Sequence, residues 1–95
     1  HIGNEIPDKF DLLQNYPNPF NPSTKIKFDV PQNIGIVTLK IYDLLGREVI
    51  ALLNKKLQPG IYEVEWDGSN FASGVYFYKL AAGDFVETKK MVLMK

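Results

Sequence analysis

The side chains best suited to acid–base chemistry in this sequence are three neighbouring carboxylates, Glu63, Glu65 and Asp67. Alternate residues of a strand share a face, so Glu63 and Glu65 would lie about 7 Å apart, a separation that could suit paired carboxylates. Such residues are far more often the solvated face of an edge strand. The only histidine is His1, so no second imidazole can act as a base or a ligand. The sequence therefore predicts no catalytic residue and no enzyme.

Metal and cofactor sites have little support in the sequence. The loop Asp67-Gly68-Ser69-Asn70 offers oxygen ligands for Ca²⁺, but calcium loops need several converging carboxylates and this loop supplies one. An Asx-turn, in which Asp67 or Asn70 bonds the local backbone, is the favoured interpretation. The absence of cysteine excludes thiolate metal sites, thiol nucleophiles and disulfides. We expect no metal site and no cofactor.

Five aromatic residues could form a platform on which sugar rings stack: Tyr62, Trp66, Tyr76, Phe77 and Tyr78. Because strand side chains alternate, Tyr76 and Tyr78 share one face and Phe77 the other, so at least one set must be buried. Trp66, the only tryptophan, is expected in the core. An accessory carbohydrate-binding module of a secreted hydrolase is the alternative function. Its mark would be two or three coplanar, exposed aromatic rings on one sheet.

The elements that position these residues are short strands separated by turns. Polar and apolar residues alternate at 25–30 and 37–42, and Asp43-Leu44-Leu45-Gly46 predicts a hairpin turn with a positive φ at Gly46, followed by a return strand at 47–53. Further strands are predicted within 59–68 and 73–80, and a final strand is predicted at 85–93 that continues through Lys95 to the end. The pattern predicts an all-β fold, an immunoglobulin-like β-sandwich of about six or seven short antiparallel strands, with a small barrel as the alternative. The predicted core comprises Phe28, Leu39, Ile41, Val64 and Trp66.

One domain of 84 residues, 12–95, is expected behind a lead-in at 1–11, given a total length of 95 residues. The stretch 12–24 holds three of the six prolines, which exclude a helix or a central strand and predict a rigid loop. Its large side chains Tyr16 and Phe20 would be costly to leave in water. We therefore expect this loop to lie against the domain.

The balance of charge and hydrophobicity narrows the classes of partner. Acidic and basic residues balance to a net charge of zero, so nothing favours nucleic acid or an anionic membrane surface. The longest apolar runs are too short to span a bilayer, and the first residues lack the basic, apolar and small-residue order of a signal peptide. Because the chain starts at His1, we interpret it as a piece of a longer protein. No small-molecule substrate is expected.

The last predicted strand has an unusual ending, in which Lys89, Lys90 and Lys95 flank four apolar residues, 91–94. One interpretation is a core strand whose lysines oppose edge-to-edge pairing. The other is an address tag that a second protein recognises by strand addition or by surface contacts.

Several motifs occur in collinear order along the chain: the proline-rich 13–24, then 41–49 (Ile-Tyr-Asp-Leu-Leu-Gly-Arg-Glu-Val), Pro59-Gly60-Ile61-Tyr62, Trp66-Asp67-Gly68, Ser73-Gly74-Val75-Tyr76 and 89–93. In this order they closely resemble the type A C-terminal sorting domain of type IX (Por) secretion cargo. The resemblance covers residues from about 12 to 95.

The resemblance implies a noncatalytic β-sandwich that directs an attached cargo, through the periplasm and across the outer membrane, to the cell surface or the medium. The implied partners are the type IX translocon, a surface sortase that cuts ahead of the domain, and an N-terminal cargo domain. A cut would fall near 1–10, or its position would already be gone from this chain. The implied recognition residues are Pro59, Gly60, Tyr62, Ser73, Gly74, Tyr76, Lys89, Lys90, Met91, Val92, Leu93, Met94 and Lys95.

Overall fold

A computed structural model of the chain describes residues 5–95, and every regular element in that range is a β-strand. The strands are β1 (Asp11–Leu12), β2 (Ser23–Val30), β3 (Ile36–Tyr42), β4 (Glu48–Lys56), β5 (Gly60–Asp67), β6 (Gly74–Ala82) and β7 (Phe85–Leu93). Within these residues no helix has the length and apolar character needed to cross a membrane. The lead-in predicted at 1–11, with the expected cut, lies partly in residues 1–4, outside the described range.

Two separate antiparallel sheets face each other, which confirms the β-sandwich and not the small barrel. One sheet has the order β1-β2-β5 and the other β4-β3-β6-β7. The chain crosses between the sheets after β2, β4 and β5, as connections in immunoglobulin-like sandwiches do. In the four-stranded sheet, β4 and β7 are therefore the edge strands.

The core lies between the sheets and follows from the alternation of each strand. In β2, Ile26, Phe28 and Val30 point inward and are completely buried, while Lys25 and Lys27 point to solvent. Of the five residues predicted in the core, Phe28, Leu39, Ile41 and Trp66 are at most 2% exposed. The fifth, Val64, is only half-buried, because β5 is the edge strand of its sheet.

The hairpin β3–β4 has the predicted turn. Gly46 has φ +83°, and its N–H donates to the Asp43 carbonyl oxygen at 3.0 Å. The Asp43 carboxylate accepts from the Leu45 and Arg47 N–H groups and pairs with the Arg47 guanidinium at 2.8 Å. These bonds, led by the one from the Arg47 N–H, lower the pKa of Asp43. The register between β3 and β4 shifts twice, so β4 is irregular. The strand ends at Lys56, beyond the predicted end at residue 53.

Packing against the domain begins before the predicted boundary at residue 12. The Phe10 ring stacks on the Phe85 ring with 5.1 Å between centroids, and Asp11 pairs with Asp29 in β1–β2. In the proline-rich loop, Phe20 is buried but Tyr16 is 81% exposed. The loop therefore lies against the domain as predicted, with Phe20 buried, whereas the Tyr16 ring is left in water.

Candidate functional site

The predicted recognition residues fall at two opposite ends of the sandwich. Gly60 begins β5 and pairs with Val30, whereas Gly74 begins β6 and pairs with Leu93 near the end of β7. Seven residue steps along β5, roughly 23 Å, separate Gly60 from the end of that strand. The Ser73–Tyr76 motif therefore lies beside the end of β7, and the Pro59–Tyr62 motif does not.

The two Gly-x-Tyr motifs share one local geometry. The Tyr62 hydroxyl donates to the Gln58 carbonyl oxygen at 2.5 Å, and the Tyr76 hydroxyl donates to the Ala72 carbonyl oxygen at 2.7 Å. In both cases a tyrosine bonds the carbonyl four residues earlier and closes the turn that leads into a strand. Each tyrosine also packs in or against the core. This geometry gives both tyrosines a structural task.

The turn after β5 brings three motifs together at Gly68. Its N–H donates to the Pro22 carbonyl oxygen at 2.8 Å, which joins the proline-rich loop to the Trp66-Asp67-Gly68 turn. A Cβ atom at Gly68 would lie 2.9 Å from Leu93 Cδ2 and 3.2 Å from the Pro22 oxygen. Only glycine fits this close approach without a shift of the Leu93 side chain.

The loop after β5 is the Asx-turn that the sequence predicts. The Asp67 Oδ1 atom accepts hydrogen bonds from both the N–H and the hydroxyl of Ser69. These bonds, the hydroxyl first, lower the pKa of Asp67, so this carboxylate is poorly suited to act as a general acid. Within residues 5–95, no group of three or more His, Cys, Asp or Glu side chains is placed to hold a metal ion.

Strand β7 ends at Leu93, so the prediction of a strand through Lys95 is wrong by two residues. Met91 and Leu93 point into the core and are at most 1% exposed. Val92 points to the opposite face, and Met94, after the strand, is 57% exposed. At the end of the chain, Met91 and Leu93 therefore anchor the strand in the core, while Val92 and Met94 lie outside the core.

The backbone edge of β7 is occupied near its end by the chain itself. The Phe20 N–H donates to the Val92 carbonyl oxygen at 3.0 Å, and the Met94 N–H donates to the Phe20 carbonyl oxygen at 2.9 Å. The side chains of Gln14 and Asn18 bond the Lys90 carbonyl oxygen and the Val92 N–H. We call residues 13–20 the covering segment. Because it takes these backbone groups, strand addition at this part of β7 would have to displace it.

Tyr78, which the sequence suggests only as part of a sugar-stacking platform, holds the covering segment from inside the core. Its hydroxyl donates to the Leu13 carbonyl oxygen and accepts from the Asn15 N–H, both at 2.8 Å. The side chain is fully buried, and burial raises the pKa of Tyr78 to about 12, with the Asn15 bond acting in the opposite sense. The available signal was a tyrosine at an inward position, whose hydroxyl must find a partner.

Trp66 packs against three aromatic rings at the end of the sandwich where β7 finishes. The centroid distances are 5.6 Å to Phe20, 5.3 Å to Phe71 and 5.3 Å to Tyr76. Its Nε1–H is buried with no acceptor among the described residues, and the ring burial offsets this cost. Trp66, Tyr76 and Tyr78 are too buried to stack on a sugar.

Fold and site together define a small antiparallel sandwich that anchors its last strand and displays the outward side chains of that strand. Residues 14–94 match the family model described as the secretion system C-terminal sorting domain. The chain belongs to this family, the sorting domains of type IX secretion. Membership implies export through that system and interaction with its machinery. No curated protein and no solved structure matches the chain.

Proposed function

We propose that this chain is a noncatalytic sorting signal that carries an attached cargo through the type IX system to the cell surface or the medium. Its partners are the translocon, which recognises the folded domain, and a surface sortase, which separates it from the cargo. The observation that carries this proposal is the family match over residues 14–94. The exposed side chains at the end of β7 support it, because they are available while the strand itself stays anchored.

We assign recognition to side chains and not to the backbone edge of β7. The covering segment already bonds that edge from Lys90 to Met94. The display therefore consists of the outward side chains of β7, the exposed Met94 and Lys95, and the adjoining Ser73–Gly74 turn. Lys95 belongs to this end, since its N–H donates to the Ser73 hydroxyl oxygen at 3.0 Å.

The other predicted recognition residues receive structural tasks. Met91 and Leu93 fill the core, and Pro59–Tyr62 forms a turn at the far end of β5. Lys89 is half-buried and pairs with Glu87 at 3.4 Å. One compact partner surface at the end of β7 would not reach the Pro59–Tyr62 turn, so we expect that turn to support folding.

The test is export of a reporter fused ahead of the 95-residue chain, in a bacterium with a type IX system and in a matched strain without the translocon. We expect export only in the first strain. The double variant Met94→Ser, Lys95→Ser should lower export while the thermal unfolding midpoint stays close to that of the unchanged chain. Equal export of the unchanged fusion from both strains would refute the sorting function.

Deletion of residues 91–95 is a poor version of this test, because it also removes Met91 and Leu93 from the core. Leu93→Ala serves as the control for lost folding, and Leu45→Ser as a control at an exposed position in the β3–β4 turn. If the double variant is exported like the unchanged chain, the recognised residues lie elsewhere. Retention of the chain on a polysaccharide gel, abolished by Tyr16→Ala, would instead favour carbohydrate binding.

A further inference from the structure

The two outward faces of the sandwich carry opposite charge, although the chain as a whole is neutral. Residues paired across antiparallel strands share a face, so the register assigns each charge to a side. Within the described strands, the outer face of the three-stranded sheet carries five carboxylates and two lysines: Asp11, Asp29, Glu63, Glu65, Asp67, Lys25 and Lys27. This acidic face has a net charge of about −3 at neutral pH.

The outer face of the four-stranded sheet is basic. Its described strand positions carry four lysines and one carboxylate: Lys40, Lys56, Lys79, Lys90 and Glu48. Lys40 pairs with Glu48 at 3.3 Å, whereas Lys79 and Lys90 make no ion pair with any residue in 5–95. We call this surface the basic face.

The basic face also carries apolar side chains at the end where β7 finishes. Tyr42 lies opposite Phe77, and Val75 lies opposite Val92. All four side chains are half-buried, and Lys79 Nζ lies 5.1 Å from the centroid of the Tyr42 ring. Aromatic side chains are enriched in the cores of protein interfaces, and charged side chains around such a core steer and orient a partner. The strands of the acidic face carry one apolar residue, Ile61, and the exposed Tyr16 ring lies beside Lys25 on that face.

We propose that the basic face is the docking surface of this domain for an acidic protein surface of the secretion machinery. The inference rests on the proposed function and names the face through which the signal is recognised. Lys79 and Lys90 steer and orient the partner, and the Tyr42–Phe77 pair supplies the contact area that is removed from water. The strands of the acidic face would offer a second copy only one apolar residue, Ile61. The four lysines of the basic face are spread over four strands, unlike the contiguous clusters that bind anionic membranes.

The decisive experiment compares two double charge reversals that change the net charge of the chain equally. Lys79→Glu with Lys90→Glu alters the basic face, and Lys25→Glu with Lys27→Glu alters the acidic face, where the lysines make only exposed pairs with Glu63 at 3.6 and 3.9 Å. In the reporter export assay we expect the first variant to lose about tenfold or more, because charge reversal places like charges across the interface. The second should stay near the unchanged chain.

Each outcome has a defined meaning once the thermal midpoints show that both variants are folded. Equal losses, or no loss, in the two variants would overturn the basic face as the docking surface, while export of the unchanged fusion would leave the sorting function standing. Phe77→Ser should also reduce export if the apolar band is part of the contact. As a further requirement, excess purified 95-residue chain added to permeabilised cells should inhibit export, and the Lys79, Lys90 variant should inhibit less.

Two direct measurements test the class of partner. Flotation with vesicles of phosphatidylglycerol and phosphatidylcholine, or with lipopolysaccharide vesicles, should leave the chain unbound. Binding that is lost in the Lys79, Lys90 variant would overturn a protein partner in favour of a membrane surface. Sedimentation of the purified chain at low salt should show a monomer. A salt-sensitive oligomer that the same variant abolishes would assign the face to a second copy.

Discussion

The two edge strands of the four-stranded sheet, β7 and β4, protect their backbones in different ways. On β7, the covering segment bonds the edge from Lys90 to Met94, and Tyr78 fixes that segment from the core. On β4, no described segment pairs with the outer backbone edge, and the strand instead carries two register shifts and ends in Lys55 and Lys56. Irregularity and charge discourage further pairing at such an edge.

The difference shows which edge the fold keeps in a fixed shape. The bulged, charged edge of β4 resists further pairing without a covering segment, but it does not hold any neighbouring segment in a fixed position. Covering the edge of β7 requires that the covering segment be ordered, which costs conformational entropy. The covered strand then holds its outward side chains in one arrangement. A domain recognised by side chains benefits from this rigidity at the end of β7 and not at β4.

The largest expected effect comes from removing the apolar anchor of the covering segment. Phe20→Ala should lower the free energy of unfolding by about 3–5 kcal/mol, because this ring is buried against Trp66. Leu53→Ala, at a half-buried position of β4, should cost about 1–2 kcal/mol. Urea denaturation of both variants measures the contrast. Equal costs would mean that the two edges depend equally on their packing.

A smaller loss is expected when the covering segment keeps its anchor but loses its internal hydrogen bonds. Tyr78→Phe leaves the Leu13 carbonyl oxygen and the Asn15 N–H without their buried partner, at a cost of about 1–3 kcal/mol. Amide hydrogen exchange should accelerate at Asn15 and Phe20 more than in β4. Uniform acceleration over the whole sheet would show that Tyr78 supports the sandwich generally.

A substitution at Gly68 tests the packing around Leu93 at the end of β7. Gly68→Ala should destabilise the chain by about 1–2 kcal/mol, since the added methyl group meets Leu93 Cδ2 and the Pro22 carbonyl oxygen. Gly35→Ala is an imperfect control, because its open surroundings remove the clash but its φ of +103° adds backbone strain. The double variant Gly68→Ala, Leu93→Val should lower the thermal midpoint by less than the sum of the losses in the two single variants. Simple additivity would contradict the proposed clash.

The smallest effect should appear where the chain enters the covering segment. Asp11 lies opposite Asp29, and partial burial, with a smaller contribution from Asp11, raises the pKa of Asp29. The folded state therefore holds this proton more tightly, and its contribution to stability falls as pH rises from about 3.8 through the raised pKa. Asp11→Asn should stabilise the chain by about 0.2–1 kcal/mol at pH 7 and by almost nothing at pH 3. A gain that is equal at both pH values would exclude charge repulsion.

Local patterns predicted the strands and most of the core. The alternation at 25–30 and 37–42 placed Phe28, Leu39 and Ile41 inside, because one buried face imposes a period of two. The turn at Gly46 followed from its neighbours alone. Val64 alternates like a core residue, but its exposure depends on β5 being an edge, which only the strand order decides.

The arrangement around β7 could not be predicted from local patterns. The bonds from Gln14 and Asn18 to β7 span 76 and 74 residues, and no local periodicity encodes such a pairing. Size and hydrophobicity predicted burial for both Tyr16 and Phe20, yet only Phe20 meets the core. The opposite charge of the two faces could not be predicted either. Composition gives only the net charge of the chain, whereas the strand register decides on which face each charged residue lies.

The covering segment also has a mechanical consequence. It follows β1, which pairs with β2 in one sheet, and it continues into bonds with β7 in the other. A load that reaches Asp11 from the preceding residues is therefore shared between both sheets and does not peel one strand at a time. If the proposed function is right, force from a cargo attached ahead of the chain would load both sheets together and leave the end of β7 in place.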